Sequence, residues 1–121
     1  MSEGRGKAKT REEIKRELST IVEFESRDPV IVASFPTVMD VKLSVDARYA
    51  KVYIAIGAAD ADRTAVMKAF YHDRGFFRTQ LAKRLTIRYT PQLEFLLDET
   101  TEWAVRLGKL LQEDDNEFPS A

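Results

Sequence analysis

Apolar residues recur along the chain with two different periods. From about Thr10 to Ser26, Ile14, Leu18, Ile21 and Val22 follow helical spacing with Glu and Arg between them, which predicts a surface helix. Thr10 and Glu13 stand as the two ends of a capping box at its start, and Asp28-Pro29 stops it, because proline disfavours helical geometry in the residue before it. Val30 to Phe35 is apolar without a clear period and reads either as a connector packed on the core or as part of a strand. Two alternating runs follow. Val41, Leu43 and Val45 interleave with Asp40, Lys42, Ser44 and Asp46, and Ala50, Val52, Ile54 and Ile56 interleave with Lys51, Tyr53 and Ala55. Both predict half-buried strands, and the short gap Asp46-Ala47-Arg48 joins them as an antiparallel hairpin.

Helical spacing returns from about Asp62 to Tyr71 through Val66, Met67 and Phe70, and again from Phe76 to Leu85 through Phe77, Leu81 and Leu85. Gly75 lies between the two and predicts a kink, since a glycine inside a helix costs about 1 kcal/mol relative to alanine. After Pro91, Leu93, Phe95 and Leu97 alternate as a third strand. A last helix is expected from about Asp98 to Gln112, with Trp103, Leu107, Leu110 and Leu111 as its buried stripe. The fold expected is therefore α+β: a three-stranded sheet with helices on one face and a kinked helix pair at Gly75. The helical connection between the second and third strands has the length of a crossover between parallel strands. The domain should span residues 10–112, between a flexible basic tail at 1–9 and a flexible acidic tail at 113–121.

Composition narrows the chemistry. The 121 residues include no cysteine and one histidine, His72, which removes thiolate nucleophiles, disulfides, cysteine-ligated metal sites and any centre needing several imidazoles. The polar start with Arg5, Lys7 and Lys9 does not read as a secretory signal, and the longest apolar stretch, Val52 to Ala59, is too short to span a bilayer. Nucleotide-loop, zinc-protease and nucleophile-elbow motifs are missing. Asp60 and Asp62 could approach a magnesium ion but read as helix-initiating carboxylates, and His72, within His72-Asp73-Arg74, reads as a solvated helix end. No cofactor and no metal are expected.

The net charge of −1 conceals an uneven distribution. Residues 1–16 hold six basic and three acidic groups, and residues 112–121 hold Glu113, Asp114, Asp115 and Glu117 with no base. Between them, residues 68–88 hold Lys68, Arg74, Arg78, Lys83, Arg84 and Arg88 against Asp73 alone. These bases could neutralise phosphates or form a solvated helix surface. Helical spacing sets Arg74 and Arg78 near each other and Lys83 on the opposite side.

The chain resembles the bacterial ribosome-binding factor A family. The resemblance rests on Arg27-Asp28-Pro29 closing the first helix, on Ser44-Val45-Asp46 followed by Tyr49-Ala50-Lys51-Val52-Tyr53, and on Gly75-Phe76-Phe77-Arg78 with Leu81, Lys83-Arg84-Leu85, Arg88, Pro91, Leu93, Phe95 and Asp98. Arg106-Leu107 and Leu110-Leu111 match its closing helix. The resemblance implies a type II KH-like domain. It also implies a cytoplasmic, monomeric, non-enzymatic factor that binds the small ribosomal subunit and its RNA late in maturation, aids processing of the RNA's 5′ end, and leaves before translation. Lys68, Arg74, Gly75, Arg78, Lys83, Arg84 and Arg88 are the expected RNA-binding residues. Ordinary KH domains hold nucleic acid with a G-x-x-G loop, and none of the five glycines here makes that spacing. The family's Ala-x-Gly kink reads Asp73-Arg74-Gly75, keeping the glycine but not the alanine. A protein–protein interaction domain without RNA contact, and a small enzyme using Asp60, Asp62 or His72, are the alternative readings.

Overall fold

A computed structural model describes residues 2–99. The elements run α1 (Ser2–Glu25), α2 (Pro29–Ala33), β1 (Pro36–Leu43), β2 (Tyr49–Ile56), α3 (Arg63–His72), α4 (Arg74–Ala82) and β3 (Gln92–Leu97). The closing helix expected over 98–112, with Trp103, lies outside the described residues from position 100 onward, as does the acidic segment 113–121.

In α1 the expected stripe is the buried one: Ile14, Leu18 and Ile21 are fully buried and Val22 nearly so. The helix begins at Ser2, upstream of that stripe, and this overturns the capping box. Thr10 lies inside the helix, where its hydroxyl donates back to the Gly6 carbonyl at 2.9 Å. Glu13 turns instead to a distant loop, its Oε1 accepting from the Thr86 amide at 3.1 Å.

Asp28-Pro29 acts twice. It ends α1 and starts α2, with the Asp28 carboxylate accepting from the Val30 amide at 2.8 Å and Pro29 at the first helical position. The unassigned run Val30 to Phe35 is thus a short helix and its exit turn, burying Ile31. Phe35 leaves that turn with φ 50°. Its carbonyl accepts from the Gly57 amide at 3.1 Å, and a Cβ on Gly57 would lie 3.0 Å from that oxygen. Close backbone approach therefore favours glycine at 57, where any larger residue would press on the Phe35 carbonyl.

The sheet has the order β1-β2-β3. β1 and β2 are antiparallel, with Val41 opposite Val52 and Leu43 opposite Ala50, while β3 joins β2 in parallel with Leu93 beside Ala50 and Phe95 beside Val52. A register shift between Val38 and Asp40 absorbs one extra residue, so that Val38 and Val41, three apart, both face the core. Val45, expected inside, is 96% exposed and belongs to the hairpin turn. That turn is closed by side chains. Asp46 accepts from the Ser44 hydroxyl at 2.7 Å and from the Arg48 amide at 3.1 Å, and these bonds hold its carboxyl below the usual aspartate range. Ala47 takes φ 59° there.

α1 packs against β1, α3 and α4 pack against β3, and α1 touches α4. All contribute to one apolar cluster with Ala50, Val52, Ile54 and Leu93 of the sheet. Its densest part is aromatic: Phe70 lies 5.5 Å from Phe77 and 4.9 Å from Phe95, and Phe77 lies 5.4 Å from both Phe76 and Phe95. Tyr53, Ala55 and Leu96, on the opposite side of the sheet, take no part in this cluster.

Candidate nucleic-acid interface

The helix break stands two residues before the glycine. α3 is capped at its start by Asp62, whose Oδ1 accepts from the Ala65 amide at 3.1 Å, as the helix-initiating reading expects. It ends at exposed His72. Asp73 is the shared cap of α3 and α4, at φ −93° and ψ 10°, between the helical and extended regions. Its amide donates to the Ala69 and Tyr71 carbonyls, and its carbonyl starts α4 by accepting from the Phe77 amide at 3.1 Å. No hydrogen bond or ion pair among the described residues engages the Asp73 carboxylate, so it neither caps α4 nor pairs with Arg74 or Arg78.

Gly75 falls in the first turn of α4 without positive φ, and a Cβ there would meet nothing within 4 Å. The bend therefore does not need glycine. Gly75→Ala is expected to raise stability by about 0.5–1 kcal/mol through helix propensity and a less entropic unfolded chain. A denaturant titration checks this, and a loss of stability would show that the bend depends on glycine after all.

The six bases are not equivalent. Lys68 on α3 and Lys83 and Arg88 beyond α4 are exposed, and no hydrogen bond or ion pair among the described residues holds them. Arg74 is exposed too. Its guanidinium lies 3.9 Å above the Tyr71 ring and donates to the Tyr71 carbonyl at 2.7 Å. Arg78 is engaged inward: Nε and Nη2 both donate to the Thr90 carbonyl, at 3.2 and 2.9 Å, tying α4 to the loop that leads into β3. Arg84 pairs with Glu25 at the end of α1, both partly buried, while its second terminal nitrogen is buried without a partner among the described residues. Two of the expected RNA-binding bases thus anchor the fold, and four remain outward.

Sequence reasoning missed one group near the break. A groove of about 910 Å³ runs from Tyr71 and Arg74 across β3 to the side of the sheet that no described helix covers, where Tyr49, Tyr53, Lys42 and Lys51 line it. The signal lies in the other half of the alternation in β2, where Tyr49, Lys51 and Tyr53 interleave with the apolar set. Among the described residues no group of three or more His, Cys, Asp or Glu side chains could hold a metal ion, and no helix is long and apolar enough to cross a membrane.

An α-β-β-α-α-β order with the short α2 set between α1 and β1, a sheet with one antiparallel and one parallel pairing, and a helix break edged by bases define a KH-like domain of the type II kind. The family model of ribosome-binding factor A matches residues 6–111, and the chain belongs to that family. It is 38% identical over 113 residues to ribosome-binding factor A of Heliobacterium modesticaldum, covering 93% of this chain and 92% of the relative. The crystal structure of ribosome-binding factor A from Thermus thermophilus superposes with a TM-score of 0.66 at 29% identity, over 76% of this chain and 94% of that one. Also similar is a homology model of the Thermus thermophilus factor fitted into a cryo-electron-microscopy map of its complex with the 30S particle. Its TM-score is 0.58 at 28% identity, over 72% of this chain and 89% of that one.

Proposed function

We propose that this protein binds the small ribosomal subunit and its RNA as an assembly factor in late maturation. It aids processing of the 5′ end of that RNA, and acts in the cytoplasm as a monomer, by binding and not by catalysis. The observation that carries this reading is the likeness to the Thermus thermophilus factor fitted into the map of its 30S complex. Lys68, Arg74, Lys83 and Arg88 stand outward around the helix break and are the side chains able to neutralise phosphates. Arg78 and Arg84 hold the elements that carry them, and Gly75 leaves the start of α4 open to a phosphate backbone. Residues 10–112 form the binding unit.

Gradient sedimentation of cell extract tests the reading. The protein is expected with free small subunits and not with translating ribosomes, and its depletion should leave small-subunit RNA with an unprocessed 5′ end. An even distribution over polysomes, or absence from subunits, overturns it. Subunit binding insensitive to salt would favour a protein-docking role instead, since phosphate contacts make log K fall linearly with log salt.

A further inference from the structure

We propose that the groove running from the end of α3 around β3 onto the face of the sheet that no described helix covers stacks the bases of single-stranded RNA, with Tyr71 of α3 and Tyr49 and Tyr53 of β2 as the ring surfaces; this rests on the RNA-binding reading above and assigns it a second surface. In β2 the side chains alternate. Ala50, Val52 and Ile54 are buried under the helices, so Tyr49, Lys51 and Tyr53 share the other face. Tyr49 is 57% exposed and Tyr71 66% exposed, so neither ring is needed to complete the core. All three tyrosines line the same groove, together with Arg74, Lys42 and Lys51.

The charges on this face are arranged for an outside partner. Lys42 and Lys51 stand directly opposite each other across the antiparallel pair, a like-charge placement that works against the sheet. Glu94, beside Lys51 on β3, offsets one of them. Lys42 instead projects over the Tyr53 ring, its Nζ 5.3 Å from the centroid. The Arg74 guanidinium, lying over Tyr71, offers a planar cationic surface as well as a charge. Aromatic faces interleaved with cations suit a strand whose bases are unpaired and whose phosphates run alongside. A duplex hides its base faces and would use only the charges. The absence of a G-x-x-G backbone clamp leaves a need for other contacts to the strand, which stacking supplies.

The test uses the full chain, a labelled oligouridylate too short to fold, and an RNA duplex of the same length. The double variant Tyr49→Ala/Tyr71→Ala removes two exposed rings, and a thermal melt verifies that it folds as the parent does. Its affinity for oligouridylate is expected to fall tenfold or more, since each stacked base contributes about 5- to 150-fold. Duplex affinity and the salt slope should stay unchanged, because no charge is lost. Tyr49→Phe/Tyr71→Phe should bind as the parent does. Parent-like binding by the alanine variant overturns the proposal, as does a phenylalanine variant as weak as the alanine one. If the parent sediments with small subunits yet ignores oligouridylate, stacking is also overturned and the face belongs to a protein partner. That outcome leaves the assembly reading intact, whereas absence from subunits strikes the assembly reading itself.

Discussion

Phe77→Ala is expected to lower stability by ~3–5 kcal/mol, the range for deleting a fully buried aromatic side chain. Phe77 has no exposed surface and touches three other rings, contributed by Phe70 of α3, Phe76 of α4 and Phe95 of β3. The cavity would open where the two helices of the broken pair meet the edge strand, and α4 has only nine residues with which to close it. Domains of this size hold about 5–15 kcal/mol in all, so the variant loses a large part of its margin. A denaturant titration with unchanged slope would measure the loss. A change below ~1 kcal/mol would mean that the ring cluster is loosely packed.

The triple variant Lys68→Ala/Lys83→Ala/Arg88→Ala should weaken small-subunit binding strongly while leaving the melting temperature nearly unchanged. All three side chains are exposed and without hydrogen bonds or ion pairs among the described residues. If each neutralises one phosphate, the slope of log K against log salt should flatten by about three units. Arg78→Ala and Arg84→Ala should behave differently. The first frees the Thr90 carbonyl, and the second strips Glu25 of its cation at the junction of α1 with the chain after α4. A loss of about 1–2 kcal/mol is expected for each, so that weaker binding by these variants reports on folding as much as on RNA. Equal salt slopes for the triple variant and the parent would exclude the outward bases from the interface.

Local periodicity made the elements legible wherever one face of an element met the core over several turns or residues. The stripe of α1 and the alternation of β2 were of this kind. α2 was not, because five residues complete little more than one turn and an apolar run of that length has no readable period. The helix break was legible as an event but not as a position. Gly75 marks it by composition, whereas the backbone turns at Asp73. Among the candidate site residues, charge density along the chain picked out six bases but could not tell the outward ones from those engaged inward. Arg78 reaches a carbonyl twelve positions away and Arg84 a carboxylate fifty-nine away, and spacing along one helix says nothing about such partners. The face shared by Tyr49 and Tyr53 became visible only once the strand order put β2 in the middle, with one side covered and the other free of the described helices.

The parallel pairing of β3 with β2 bears on how the chain is made. β1, its turn and β2 are neighbours in sequence and can pair as soon as they leave the site of synthesis. Tyr49 and Gln92, in contrast, are partners separated by the whole of α3 and α4. Until Leu93 and Phe95 have emerged, Phe70 and Phe77 lack the strand that covers them. Every nascent copy therefore passes through an interval in which two large rings are unsheltered and β2 has one edge unpaired. That interval ends only when a loop held by Arg78 and Glu13 brings β3 against β2.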